Sequence, residues 1–393
     1  MTRTTLHAIG WVVAVVPVAA MQQAAPPTAK DPILDLQARV HRGAVKLEYE
    51  PEHGHLKALL RELKIDPSTQ TLVFAKNSMQ GSFISTENPR ALYFNDSVYV
   101  GWIPGAPLIE VMSIDPVKGI RFYSFPNEKP ANGKAASRFH LETTNCEPCH
   151  SRRSFTGTPR LFATSVYAAP SGYPRIFSPE IDVRPSTPIE KRWGGWYVTG
   201  SHGKLRHMGN EPAEGTDEEY RIDTNRGANV MKLDNYFDPA GYPTPHSDIV
   251  ALMVMDQQMH VQNILSATGI AVRQAQASGA SVESECNDLV EALVLAGETK
   301  FTSAIAGTSQ FTEYWQSRGP LYKLNLNQRL ARYACSPLIF SDSFRALPIA
   351  AKTYIYRQIS EGLGSGTLRP DLTDPEREAT LRILRDTIPE FPR

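Results

Sequence analysis

The five residues Cys146-Glu147-Pro148-Cys149-His150 constrain this chain more than any other stretch of its 393 residues. Two thiols three positions apart share one face of a helical turn, and the histidine directly after the second lies beside them. C-x-x-C-H in this order is the pattern of covalent haem attachment, in which each thiol forms a thioether with a vinyl group and the imidazole becomes the proximal iron ligand. With four cysteines and ten histidines in the chain, the pattern arises by chance in about one such sequence in a thousand. A fold built around it has to keep a flat cavity open beside a short helix. Asn145 is placed to cap that helix and Pro148 to sit in its first turn, where a missing N–H costs nothing.

Two other uses of a cysteine pair compete. Zinc needs four ligands, usually from two such pairs, and the remaining Cys286 and Cys335 stand alone. A thioredoxin-like dithiol also carries proline at the third position, but it follows a buried strand, whereas Leu141-Glu142-Thr143-Thr144-Asn145 leads in with polar residues.

The N-terminus points the same way. Arg3 precedes an apolar run from Ala8 to Ala20, and Val18-Ala19-Ala20 offers a small-residue cleavage site, the pattern of an export signal. The run is too short to span a bilayer, so membrane attachment is expected only if the signal is retained. Covalent haem attachment takes place outside the bacterial cytoplasm, so leader and motif support each other and predict a periplasmic or otherwise exported protein. In that oxidising compartment Cys286 and Cys335 either form a disulfide or remain as two buried thiols. Lys plus Arg and Asp plus Glu both number 41, and this neutrality gives no basis for nucleic-acid binding. No G-x-S-x-G, phosphate-binding loop or H-E-x-x-H occurs, which removes the usual hydrolase, nucleotide and zinc-protease chemistries.

The periodicity predicts an α+β protein in five parts: a signal at residues 1–20, a linker at 21–30, an α+β module at 31–135, a loop-rich haem segment at 136–243 and a helical region at 244–393. Leu56, Leu59, Leu60 and Leu63 form a helical stripe that Pro67 ends. Short β-rich runs follow at 71–75, 91–94, 98–102, 108–111 and 121–125, with Asn95-Asp96 and Pro104-Gly105 as turns. Residues 193–200 read as a strand that returns through 205–208 as a hairpin. Thr244-Pro245 predicts the start of a helix, and further helices are expected at 281–297, 327–333, 346–362 and 374–387.

Taken together, the motif, the leader and the aromatic segment after the motif resemble exported bacterial c-type cytochromes. More narrowly, Thr71-Leu72-Val73-Phe74, Pro89 to Asp96, Cys146 to His150, Trp193 to Gly200 and His246 to Leu252 are similar to large single-motif cytochrome-like proteins of unassigned activity. The resemblance covers most of the mature chain and implies one haem c on Cys146, Cys149 and His150. It supplies no substrate.

The ligand opposite His150 separates the functional classes, because a thioether suits a carrier and an open position suits peroxide or oxygen chemistry. Met208 and His207 are the distal candidates. A regular strand would point them to opposite faces, so at most one reaches the iron. His202 is expected exposed at the turn tip. His246, Met253 and His260 are spaced as a helical stripe, with Met253 expected in the core. His53 and His55 read as an exposed loop, and His140 as a hydrogen-bonding neighbour of the haem. Arg152, Arg153 and Arg160 are candidates for the propionates, against a solvated basic face. Trp193, Trp196 and Tyr197 are either haem wall or simple core. The leading expectation is electron transfer with a redox partner protein. A haem enzyme of peroxidase or oxygenase type with an open distal site, and a haem-bearing sensor or binding subunit of an envelope complex, are the alternatives.

Overall fold

A computed structural model describes residues 30–129, 138–151 and 158–393. The expected signal, the linker up to Ala29, and Arg152 and Arg153 lie outside the described residues. The protein is α+β. Its centre is a seven-stranded antiparallel sheet in the order β6-β5-β4-β3-β2-β1-β9, made of β1 (Thr71–Val73), β2 (Arg90–Phe94), β3 (Val98–Trp102), β4 (Leu108–Asp115), β5 (Gly119–Pro126), β6 (His140–Leu141) and β9 (Trp196–Tyr197). The turns are set by side chains. Asn95 Oδ1 accepts from the N–H groups of Ser97 and Val98 between β2 and β3, and Asp115 Oδ1 does the same for Val117 and Lys118 before Gly119 at φ +78°.

Register sorts the strand residues onto two faces. One carries Ala91, Tyr93, Val100, Trp102, Val111, Tyr123 and Phe125. Helices α1 (Pro32–His41) and α2 (Leu56–Glu62) cover it. Asp31 ties α1 down: one carboxylate caps Ile33 N–H at 2.8 Å and also accepts from Ser113 Oγ at 2.7 Å and Tyr123 Oη at 2.6 Å. The other face carries Arg90, Leu92, Phe94, Tyr99, Gly101, Glu110, Met112 and Phe122. Behind its Tyr99 end runs α4 (Ile249–Ser278), capped by Asp248 and stopped by Gly279 at φ +76°.

Helix α4 joins two cores. Its residues up to Met259 pack with the sheet, while Val261, Leu265 and Val272 pack with α5 (Glu283–Leu293), α8 (Ile349–Ser365) and α9 (Asp374–Thr387). The core around the sheet draws on all three segments expected from the sequence, since Trp196 and Val254 belong to it as well as Tyr93. Cys286 and Cys335 are both buried free thiols, with Cys286 pushed up to about 11 by burial and then by Glu285 and Glu283. None of the helices among the described residues is long and apolar enough to cross a membrane.

Several local expectations are corrected. Residues 193–208 do not form a hairpin: Trp196 and Tyr197 pair with Val73 and Leu72, so the strand extends the central sheet, and two short hairpins occur elsewhere, β7 (Thr164–Ser165) with β8 (Ile181–Asp182) and β10 (Glu214–Gly215) with β11 (Tyr220–Arg221). Helix α4 begins at Ile249 instead of beside Thr244-Pro245, because Gln70 holds the backbone of Thr244 while Asp248 takes the cap. No helix forms at 327–333, where Asn325 Oδ1 accepts from Asn327 and Gln328 and Leu324 bridges to Ala331. A helix the sequence reading missed, α6 (Phe311–Ser317), stacks Phe311 and Trp315 against Phe94.

Candidate functional site

The C-x-x-C-H segment forms the one-turn helix α3 (Glu147–Ser151). The carbonyl of Cys146 accepts from His150 N–H at 3.1 Å, so Cys146 itself holds the cap position, and the expected cap residue Asn145 turns its amide to Glu142 instead. Pro148 sits in the first turn as expected, where it removes no helical bond. The turn brings both thiols and the imidazole to one cavity of about 440 Å³, within the size range of cofactor sites.

His150 is fixed on three sides. Its Nδ1 is 2.5 Å from the carbonyl oxygen of Arg160, and the rings of Phe122 and Phe162 flank it at 4.3 and 4.5 Å. A carbonyl only accepts, so a proton is on Nδ1, which in the neutral ring leaves the lone pair on Nε2, the tautomer a metal-ligating imidazole requires. Asn263 of α4 steadies the segment that supplies Arg160 and Phe162 by bonding both the N–H and the carbonyl of Leu161, each at 2.7 Å. Burial, then Glu110 and Glu142, push the Cys146 thiol up to about 12. That environment suppresses the thiolate a dithiol redox enzyme attacks with. Among the described residues no three His, Cys, Asp or Glu side chains converge on a metal position, so the zinc reading gains no ligands.

The sheet supplies the cavity wall. Gly101 stands mid-strand in β3 between Leu92 and Glu110, and a Cβ there would lie 3.3 Å from Leu92 Cδ2 and 3.6 Å from Glu110 Cβ. A strand-interior glycine marks a place where something else approaches the backbone. Arg90 Nη1 pairs with Glu110 at 2.9 Å, yet Arg90 Nε is buried without a partner. A buried guanidinium N–H left over beside a cavity suits a carboxylate arriving with a ligand. Trp196 closes one side, its indole donating to the Thr164 carbonyl at 2.8 Å, and Met79, Met112 and Met259 complete the sulfur-bearing lining. Gly101, the Arg90 nitrogen and the His150 tautomer together fit a flat, carboxylate-bearing macrocycle held by the two cysteines.

Other candidates lie elsewhere. Neither His207 nor Met208 lines the cavity. Met208 accepts from Ser165 Oγ at 3.6 Å, and His207 is buried against Trp193 and His202, its ring held down to about 3 chiefly by burial. His202 is 1% exposed, not at an exposed tip, because its Nδ1 meets the Leu205 carbonyl and its Nε2 accepts from Asn229 N–H. His53 and His55 are buried as well, packed on Trp102 and Phe125 respectively. His246 precedes α4, so the proposed stripe with Met253 and His260 does not form, and Met253 is core as expected. His140 is exposed on β6. Arg160 pairs with Asp182 at 2.9 Å. Trp193 is core, donating to the buried Asp256, and Tyr197 faces the opposite side of the sheet. Arg90, Gly101, Glu110, Phe122, Phe162 and Met79 are cavity residues the sequence reading missed; Gly101 inside Val98-Tyr99-Val100-Gly101-Trp102 was the one legible signal.

A larger, more open cleft of about 730 Å³ lies beside α1 and α6. Its charges are partly satisfied internally, Arg318 meeting Asp96 at 2.6 Å while stacking over Trp315. Comparison of the chain with models of protein families, with curated proteins and with solved structures finds no match.

Proposed function

We propose that this chain is an exported c-type haem protein, periplasmic in a bacterium, that transfers single electrons to or from a redox partner. Cys146 and Cys149 would hold the porphyrin through thioethers, His150 would ligate the iron through Nε2, and Arg90 would meet a propionate with its unused Nε. The reading rests above all on the 2.5 Å contact of His150 Nδ1 with the Arg160 carbonyl, made in a cavity that both cysteines line.

Bound there, haem supplies Fe(III)/Fe(II) one-electron chemistry. The chain's own residues do the rest. Phe122 and Phe162 keep the His150 ring from rotating and shield it from water. The Arg160 carbonyl makes the imidazole more basic, which favours the oxidised metal. Glu110 keeps Arg90 extended along the cavity wall.

Glu110 is also the one observation that favours an enzyme, since a carboxylate inside a ligand cavity, steadied by a permanently charged guanidinium, is a group that proton transfer uses. Spectra and turnover of the haem-loaded chain separate the two. A low-spin protein in both oxidation states, slow with peroxide and poor at binding CO, is the expected carrier. A high-spin resting state that binds CO readily or turns over peroxide rapidly would make it an enzyme.

A further inference from the structure

We propose that Met79 is the axial ligand on the side of the cavity away from His150, and that Glu110 positions the loop that carries it; this rests on the haem reading above. Three methionines line the cavity, Met79, Met112 and Met259. Met112 is the cross-strand partner of Phe122, whose ring touches His150, so it stands on the proximal side. Met259 is 3% exposed within α4 and is accounted for as core.

Met79 is different. It is 47% exposed on the loop between β1 and β2, with its side chain at the cavity. That loop is anchored through its neighbours on both sides. Asn77 donates to Thr164 Oγ1 at 3.1 Å, Ser78 Oγ donates to Glu110 at 2.6 Å, and the Gln80 amide donates to Glu110 at 3.2 Å and to the Leu108 carbonyl at 3.0 Å. Both anchors lie one same-face step beyond residues that flank His150. Thr164 is two residues past Phe162, and Glu110 pairs across the strands with Ser124, two residues along β5 from Phe122. Each step is about 7 Å of extended chain. The loop is therefore anchored on a second level of the cavity, one such step along two separate stretches of chain from the two rings that flank His150. An unbranched thioether with three rotatable bonds, on a loop fixed at Asn77, Ser78 and Gln80, can swing inward without moving the backbone. Among the described residues that line the cavity His150 is the sole histidine, which leaves sulfur as the soft donor on that level.

Glu110 is a positioning residue in this scheme. It accepts from Ser78 and Gln80 on the loop and is itself held by Arg90 at 2.9 Å.

The test uses the full chain, loaded with covalent haem, and reads two signatures of sulfur on the iron: the near-red charge-transfer band of the oxidised protein and the strongly upfield thioether methyl in the proton NMR spectrum of the reduced protein. Wild type should show both. Met79→Ala should lose both and bind CO, while Met112→Leu, Met259→Leu and Met208→Leu keep them. Glu110→Gln should weaken the band while keeping the haem. Covalent haem without either signature in wild type, or signatures that survive Met79→Ala, would overturn the assignment and leave the haem reading intact. An unaltered band in Glu110→Gln would remove the positioning role. A wild-type chain that carries no covalent haem would take both readings down together.

Discussion

The two faces of the central sheet are made by alternate residues of the same strands, yet they obey opposite rules. On the face under α1 and α2, Tyr93, Trp102 and Phe125 are each at most 1% exposed, and Asp31 accepts from Tyr123, although the Trp102 indole N–H is buried without a partner. On the other face, packing is complete near Tyr99 and Phe94 but stops at Gly101, where a glycine and an ion pair face a cavity of about 440 Å³. Close packing is worth several kcal/mol to a domain, so a sheet that gives it up over part of one face leaves space that a ligand can occupy. The strands thus divide the labour, one face for stability and part of the other for the site.

The largest effect should come from the packed face. Phe125→Ala removes a fully buried ring that meets His55 and Phe139, and it should cost about 3–5 kcal/mol in urea unfolding. A cost near zero would mean that this face is not the one carrying stability.

Gly101→Leu probes the other face. It should change the stability of the haem-free chain by no more than about 1 kcal/mol, because relief of an unfavourable strand-interior glycine offsets the crowding of the new Cβ 3.3 Å from Leu92, and the rest of the side chain enters the cavity. Haem loading in a host with a cytochrome c maturation system should fall away. Normal loading in the variant would break the contrast between the faces.

A smaller effect should appear in acid. Burial lowers the pKa of His55 below its usual 6.5, so protons bind the unfolded chain more readily than the folded one. Its contribution to stability is whole above pH 6.5 and is lost as the pH falls toward its lowered folded value. Asp256, raised by burial to about 7, works in the opposite direction over the same range, so the comparison has to be with a variant. The melting temperature of wild type should fall from pH 7.5 to pH 5 by more than that of His55→Gln, on the order of 1 °C for each kcal/mol in a chain of this length. Equal slopes would remove this ring from the account of the packed face.

The sequence was informative where structure is local. The Asn95 turn, the strands from β2 to β5, the helix at Asp374–Thr387 and the helical turn of the C-x-x-C-H segment follow from spacing and turn chemistry among neighbours. It misled where a distant partner decided the outcome. Trp196 and Tyr197 looked like half of a hairpin and instead pair with β1, more than a hundred residues earlier. His53, His55 and His202 were read as exposed because a polar loop usually is, whereas carbonyls of Leu47 and Leu205 and the rings of Trp102 and Phe125 bury them. That Cys146, Cys149 and His150 come together was legible because their spacing puts them on one helical turn. The cavity wall was not, since Arg90, Glu110, Phe122 and Phe162 meet only after four separate segments fold together, and His207 and Met208 lost their apparent promise once those segments were in place.

The intact mass of the protein, taken after acid–acetone extraction from a host that matures c-type cytochromes, tests the central claim most directly. Wild type should carry the added mass of one haem, and Cys146→Ser with Cys149→Ser should carry none. A wild-type mass matching the bare polypeptide, or the polypeptide plus one zinc ion, would contradict the account.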